Sequence, residues 1–391
     1  MTKKEINSSR VPVYRDAGFE LYDAETTADA FIHETNPERE PSIYIYSRYR
    51  NPTVVSAENG IMNIEGSEWS LLTQSGMSAI DTALSIFQSG KIIKPWLFFS
   101  EIYGGTISFA EEILRKRRGL DIQSFNPLNE IYKLDEFEKI IKSLNPDIVY
   151  FETISNPMLI VPDAESIISI AKKNGSKVIV DNTFATPRLW KPLSSGADIV
   201  IHSATKYLSG HGNITAGVIC GNDQEILRSA INYRKYVGHM LSPEDAYMLQ
   251  TQVETFPLRF RQQCLNAAMI AEVLTCSSQI RKVWYPGLSD HPSHNEAKRL
   301  FRDSGYGAMV TFDFSGKNED DKRKKRNLFI KSVSDKIKLI PTLGDPRTIL
   351  MPVESVWGAK YPEPGMIRMS AGFEETDELK QTLIEALNWE V

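Results

Sequence analysis

Between residue 51 and about residue 250, short apolar runs alternate with segments whose apolar positions recur every three or four residues. Runs of that length suit strands buried on both faces, and the recurring positions suit amphipathic helices. Residues 70–73, 96–99, 147–151, 178–180 and 197–202 read as strands. After the first of them, a turn at 74–77 opens a helix that places Ile80, Ala83, Leu84 and Phe87 on one face. That helix is expected to end at Gly90, a residue suited to a C-terminal cap. Tyr103-Gly104-Gly105-Thr106 follows the second strand and leads into a helix rich in Glu and Arg. A helix from Asp163 turns Ile167, Ile168 and Ala171 inward and stops at Asn174-Gly175. Strands alternating with helices in this way predict a large, mostly parallel sheet covered by helices.

The two ends read differently. Residues 1–50 show little periodicity and carry scattered charges with Pro12, Pro37 and Pro41, so they lack a core of their own. They are expected to be disordered or to form an arm lying on something else, another subunit among the candidates. Beyond 250 a long helical stretch from Glu254 to Leu274 precedes a strand at 309–314, charged helices, and Ile367-Arg368-Met369-Ser370. The expected division is an arm over 1–50, a large α/β domain over 51–250 and a smaller α+β domain over 251–391.

Charge and cysteine content narrow the class. The net charge of -5 over 391 residues argues against nucleic acid or an anionic membrane as the main partner. The basic clusters at 115–118 and 322–326 read as solvated helix faces or ends. No apolar run approaches the roughly 18 residues a membrane span needs. The first five residues, Met1 to Glu5, lack an apolar signal region. Cys220, Cys264 and Cys276 are odd in number and widely spaced, which fits a reducing, cytoplasmic compartment. His291 and His294 are separated by Pro292 and lack a completing carboxylate or thiolate, so no metal is expected.

Candidate chemistry gathers at strand ends. In open α/β sheets ligands bind beyond the carboxyl ends of strands, and Ser75, Tyr103, Asn156, Asp181 and Lys206 all follow such ends. Ser75-Gly76-Met77-Ser78 has the form of a helix N-terminus open to phosphate, although Gly76 also suits a plain turn. Tyr103 reads either as a buried aromatic or as a ring lying flat on a ligand. Asp181, ending an apolar strand, needs a partner such as a protonated pyridine nitrogen, or else caps the next turn. Ser203 and Thr205 flank Lys206 with hydroxyls suited to phosphate. Tyr46-Ser47-Arg48 precedes Asn51-Pro52, as a surface turn or as an arm bringing a phenol and a guanidinium to an anion.

Together these segments resemble the Cys/Met-metabolism family of pyridoxal-phosphate enzymes, over essentially the whole chain from about residue 40. The motifs are Tyr46-Ser47-Arg48, Ser75-Gly76-Met77, Tyr103-Gly104-Gly105-Thr106, Glu152 with Asn156-Pro157, Asp181-Asn182-Thr183, Ser203-Ala204-Thr205-Lys206 and Ile367-Arg368-Met369-Ser370. The resemblance implies a fold-type I transferase with pyridoxal 5'-phosphate as cofactor. It implies that Lys206 carries the cofactor and moves protons, with Tyr103 stacked on the ring as its catalytic companion. Asp181 would pair with the pyridine nitrogen and Asn156 would lie near the 3-hydroxyl. Ser75, Gly76, Met77, Ser203 and Thr205 would hold the phosphate, joined by Tyr46 and Arg48 from a neighbouring subunit. Arg368 would bind the α-carboxylate of an amino-acid substrate. Thr342 stands where a serine often orients the lysine and that carboxylate. The family's usual assembly is a homotetramer made of two active dimers.

Within the family, residues 342–348 resemble the lyase and sulfhydrylase branch. Gly105 stands where methionine γ-lyases resemble one another in having cysteine, and Asn213 where many relatives have aspartate. Residues 351–357 lack a frequent His-Pro-Ala-Ser pattern, which makes the substrate side atypical. The expected reaction is γ-elimination from a sulfur amino acid, of the methionine or cystathionine γ-lyase type, giving a thiol, 2-oxobutanoate and ammonia. The alternative is γ-replacement on an O-acyl-homoserine. A cofactor fold kept for a structural or regulatory role is the other class, and the full set of Lys206, Asp181, Tyr103 and Arg368 argues against it.

Overall fold

The apolar runs of the first half form one seven-stranded sheet in a computed structural model that describes residues 8–33, 43–88, 94–361 and 363–388. Pro37, Pro41 and Gly90 lie outside the described residues. The strands are β1 (Trp69–Thr73), β2 (Trp96–Phe99), β3 (Ile122–Phe125), β4 (Ile148–Glu152), β5 (Lys177–Asp181), β6 (Ile199–His202) and β7 (Gly217–Gly221). Their spatial order is β1-β7-β6-β5-β4-β2-β3. Strands β2 to β6 pair in parallel, whereas β7 runs antiparallel to both β1 and β6. Every residue of β7 is buried, so its sequence carries no face alternation that would reveal its partners. The helix after β1 spans Gly76–Ser85, short of the expected end, and Phe87 packs half-buried just past it.

A second, five-stranded sheet holds β8 (Ile280–Trp284), β9 (Met309–Phe314), β10 (Lys338–Leu339), β11 (Ile349–Pro352) and β12 (Met366–Ser370), in the order β10-β11-β12-β9-β8. All its pairings are antiparallel except β10 with β11. The 20-residue helix Phe256–Thr275 ties the two sheets together. Phe256, Phe260 and Cys264 near its start join the first core, and Ala267, Ile270 and Leu274 further on join the second. A helix of that length spans about 30 Å, enough to serve both layers.

The N-terminal segment lies on the body of its own chain. Tyr14 N donates to Thr53 Oγ1 at 3.0 Å, and Asn51 Nδ2 donates to Tyr14 O at 2.9 Å. It contains a helix, Ala24–His33, capped where Asp23 Oδ1 accepts from Thr26 N at 2.7 Å. Phe31 and Ile32 on it are exposed and Ala30 is buried. So few inward positions leave no periodicity to read, which is why the sequence pattern missed this helix.

The expectation of solvated basic clusters holds for Arg115, Lys116 and Arg117, which are exposed, and is corrected at Arg118, Lys322 and Arg326. Lys322 Nζ lies 3.1 Å from Asp313, a fully buried carboxylate, and Arg326 is 8% exposed and bonded to Glu354. One helical turn apart on Glu319–Val333, both cations face inward. Arg118 likewise pairs with Asp81 and donates to Ser85 Oγ. Among the described residues no helix is long and apolar enough to cross a membrane.

Candidate active site

Ser75, Tyr103, Asn156, Asp181 and Lys206, from the ends of five different strands, line one cavity of about 270 Å³. Gly76, Met77, Ser203, Thr205, Thr342 and Arg368 line it with them. The second sheet contributes Arg368 from β12 and Thr342 from the loop before β11, so the cavity lies between the two sheets.

A turn after β6 carries Lys206 into this space, with Lys206 N donating to Ser203 O at 3.0 Å. Its Nζ donates to Thr342 Oγ1 at 2.8 Å. The loop bearing Thr342 comes this close because Gly344 has φ +82°, and a Cβ there would stand 2.8 Å from the backbone of Lys206 and Tyr207. Burial, and next the charge of Arg368, bring the Lys206 amine down to about 8, with Asp345 opposing.

Arg368 is 7% exposed. Its Nη1 donates to Asn156 Oδ1 at 3.0 Å and its Nη2 to the carbonyl of Thr342 at 3.2 Å. Thr342 therefore touches both cations of the site. Burial lowers the guanidinium to about 10, and among the described residues no carboxylate pairs with it. A buried cation without a counterion is a site waiting for an anion.

Two carboxylates lie side by side at the ends of β4 and β5, with Glu152 opposite Asp181 in the strand register. Asp181 Oδ1 accepts from Thr183 N at 2.9 Å and from Thr183 Oγ1 at 2.5 Å, so it does cap the following turn. It also lines the cavity, and among the described residues no lysine or arginine pairs with it. Burial raises its pKa, while the Thr183 hydrogen bonds work the other way. Glu152 Oε1 accepts from Tyr103 N at 2.6 Å. Burial, then the neighbouring Asp181 charge, push Glu152 well above the usual carboxylate range, while the Tyr103 hydrogen bond works the other way.

Ser75 caps the helix Gly76–Ser85, its Oγ accepting from Ser78 N at 3.1 Å. Gly76 and Met77, the first two residues of that helix, line the cavity, at the end where a helix leaves N–H groups without helical partners. A Cβ on Gly76 would stand 2.8 Å from Ser203 Oγ, so a glycine is required for this helix end and that hydroxyl to meet. The Thr205 hydroxyl is engaged by Ala216, donating to its carbonyl at 3.2 Å and accepting from its amide at 2.9 Å. Tyr103 is half-exposed, and its ring lies across Gly105, where a Cβ would meet Cε1 at 2.4 Å.

Tyr46 and Arg48 do not line the cavity of their own chain. Arg48 stacks over Tyr49, 4.9 Å from the ring centre, and its Nη1 donates to Lys235 O at 2.6 Å. The two histidines of 291–294 have structural partners: His291 Nδ1 accepts from Ser293 N at 3.2 Å, and His294 stacks on Tyr306. Glu152 and Thr183 are the site residues that sequence reasoning left unassigned. Both sit inside motifs it quoted, and strand-end position was the signal available for Glu152.

The set suits pyridoxal phosphate. It combines a buried amine of lowered pKa, a buried carboxylate without a cation, and a helix N-terminus whose close fit to Ser203 depends on Gly76. Comparison with known proteins agrees. The family model described as "Cys/Met metabolism PLP-dependent enzyme" matches residues 1–388. The chain is 32% identical to a cystathionine beta-lyase of Lactococcus lactis subsp. cremoris (strain MG1363), over 99% of this chain and 96% of that one. It is 34% identical to an L-methionine gamma-lyase of Fusobacterium nucleatum subsp. polymorphum, over 96% of this chain and 93% of that one. It also matches the crystal structure of a cystathionine gamma synthase from Xanthomonas oryzae pv. oryzae in complex with cystathionine. That match has a TM-score of 0.84 and 26% identity, over 97% of this chain and 92% of the other.

Proposed function

The chain belongs to the Cys/Met-metabolism family of pyridoxal-phosphate-dependent enzymes, and we propose that it is a carbon–sulfur lyase acting on a methionine-type amino acid. By γ-elimination it releases a thiol, 2-oxobutanoate and ammonia. The observation that carries this choice is the lining of the cavity. Among the described residues its charged groups are Lys206, Arg368, Asp181 and Glu152, and its apolar wall includes Met77, Ile80, Ile154, Phe184 and Leu343. One arginine serves one carboxylate. The second carboxylate and ammonium of cystathionine would lack partners there, whereas an uncharged thioether meets an apolar wall.

In this reading Ser75, Gly76, Met77, Ser203 and Thr205 would hold the phosphate, and Lys206 would make the covalent attachment. Asp181 would pair with the pyridine nitrogen, Tyr103 would cover the ring and Asn156 would lie by the 3-hydroxyl. When bound, the cofactor withdraws electrons from the substrate and acidifies its Cα proton. Arg368 receives the α-carboxylate in its planar fork, which fixes the substrate in the cavity. Lys206 Nζ, once released by the substrate amine, would take the Cα proton, pass it on and so regain its lone pair, and then take one from Cβ; one of the two protons goes out with sulfur and the other returns to the carbon chain at Cγ. The lowered pKa of Lys206 keeps a share of it unprotonated near neutral pH, as a base requires. The Cγ–S bond then breaks with its electron pair on sulfur, which leaves as the thiol with a proton. One water hydrolyses the remaining four-carbon unit to 2-oxobutanoate and ammonia. Tyr46 and Arg48, standing outside their own chain's cavity, serve the phosphate of a neighbouring copy in a homotetramer of two active dimers.

Steady-state kinetics with methionine and cystathionine test the substrate choice. A higher kcat/KM for methionine is expected. A clear preference for cystathionine would overturn it.

A further inference from the structure

The connection between β11 and β12 leaves the second sheet, reaches the first, and returns carrying Arg368. Near its start Glu354 is held at 2.8 Å by both Arg323 and Arg326 on the helix Glu319–Val333. At its far end Lys360 Nζ donates to Ser100 O at 2.8 Å and lies 3.3 Å from Glu101. The Tyr361 hydroxyl donates to the Glu101 carboxylate as well. Ser100 and Glu101 directly follow β2, on the approach to Tyr103. Between these anchors stands Trp357, half-buried, its amide donating to Val353 O at 2.9 Å. The Arg368 guanidinium lies over its indole, 5.2 Å from the ring centre, and Tyr361 meets that indole edge-on at 6.5 Å and 85°.

We propose that Trp357 is a positioning residue for Arg368, its indole face serving as the fixed electronegative support of a buried guanidinium that, among the described residues, no carboxylate pairs. This rests on the reading of Arg368 as the α-carboxylate site. The Asn156 side chain and the Thr342 carbonyl hold two nitrogens of the fork, and the indole holds its plane. Three restraints leave the guanidinium one orientation in which to meet a carboxylate. A cation over an aromatic face is favoured by the ring quadrupole, most strongly for Trp and more so when water is excluded. Trp357 does not line the cavity, so it acts through Arg368 and not on the substrate. The Tyr361–Glu101 contact braces the indole, which links the grip on the carboxylate to the seating of this strap against the first sheet.

The test uses holoenzyme carrying Trp357→Leu, Trp357→Phe, Tyr361→Phe or Arg368→Ala. Methionine and 3-(methylthio)propylamine, the same molecule without its carboxylate, are the probes, with binding read from the cofactor absorbance and turnover from kcat and KM. Trp357→Leu is expected to weaken methionine about 3- to 30-fold, the range a cation–π contact spans. Its kcat should stay within about twofold, as for an interaction felt equally in ground and transition states. Trp357→Phe should recover most of the loss, and the amine should bind all Trp357 variants as it binds the parent. Tyr361→Phe, which keeps the indole, should give a smaller loss for methionine alone. Unchanged methionine binding in Trp357→Leu, or an equal loss for both probes, overturns the proposal. Should that variant fail to fold, unchanged methionine binding in both Phe variants overturns it instead. Unchanged methionine binding in Arg368→Ala would remove the carboxylate-site reading and this inference with it. Loss in Arg368→Ala without loss at Trp357 removes the inference alone.

Discussion

Covalent capture of pyridoxal phosphate by the cofactor-free protein should rise with pH up to about 8 and level off above it. Only the neutral amine of Lys206 attacks an aldehyde. Burial, and next the positive charge of Arg368, favour that neutral form, so the lysine loses its proton well below the ordinary value of 10.5. At pH 7 an amine titrating at about 8 is neutral in roughly one molecule in eleven, against roughly one in three thousand for an unperturbed lysine. The reactive population is therefore larger by about 300-fold. Stopped-flow mixing across the pH range, following the visible absorbance of the lysine-bound cofactor, measures the midpoint. Dividing by the rate with a free alkylamine removes the cofactor's own ionisations. Arg368→Ala takes away a charge that opposes protonation, so the midpoint should move up and the rate at pH 7 should fall. A midpoint at or above about 10 in the parent protein would refute the reasoning, and so would a downward shift in the variant.

Gly76→Ala should weaken cofactor binding, because the new Cβ would press on Ser203 at 2.8 Å from its Oγ and 3.3 Å from its Cα; equilibrium dialysis of pyridoxal phosphate measures the loss. Glu58→Ala should destabilise the fold without touching the cavity. It strands Arg234, which is fully buried with Nη1 2.6 Å from Glu58, at a cost of about 3–5 kcal/mol in urea unfolding. Inactive Lys206→Ala and Arg48→Ala chains should regain activity when mixed, since one copy of each pair would then hold an intact Lys206 beside a partner's intact Arg48. No recovery after subunit exchange would argue against a shared site.

Much of the site was legible because its chemistry sits where strands end. The apolar runs at 96–99 and 178–180 mark strands without ambiguity, and the first polar residues after such runs fall at one edge of the sheet. Asp181 and Lys206 stand out there because an apolar strand gives a charge no reason to be present unless something pairs with it. The direction of β7 was not legible, since a strand buried throughout reads alike in either orientation. Nor was the inward turn of Lys322 and Arg326, which depends on carboxylates of other elements, Asp313 on β9 and Glu354 beyond β11. Glu152 was visible as part of a motif, but its hold on the Tyr103 amide requires the distance between two strand ends. The segment at 351–357 showed only that it departs from its relatives' usual pattern. That Trp357 stacks on Arg368 follows from a strap folding back between sheets, which no local pattern records.

Product analysis with methionine as the sole substrate tests the proposed reaction most directly. Holoenzyme given methionine and no second thiol should release a volatile thiol, 2-oxobutanoate and ammonia in equal amounts, and Lys206→Ala should release none. Turnover confined to an O-acyl-homoserine supplied together with a thiol, with methionine left intact, would contradict it and make the enzyme a catalyst of γ-replacement.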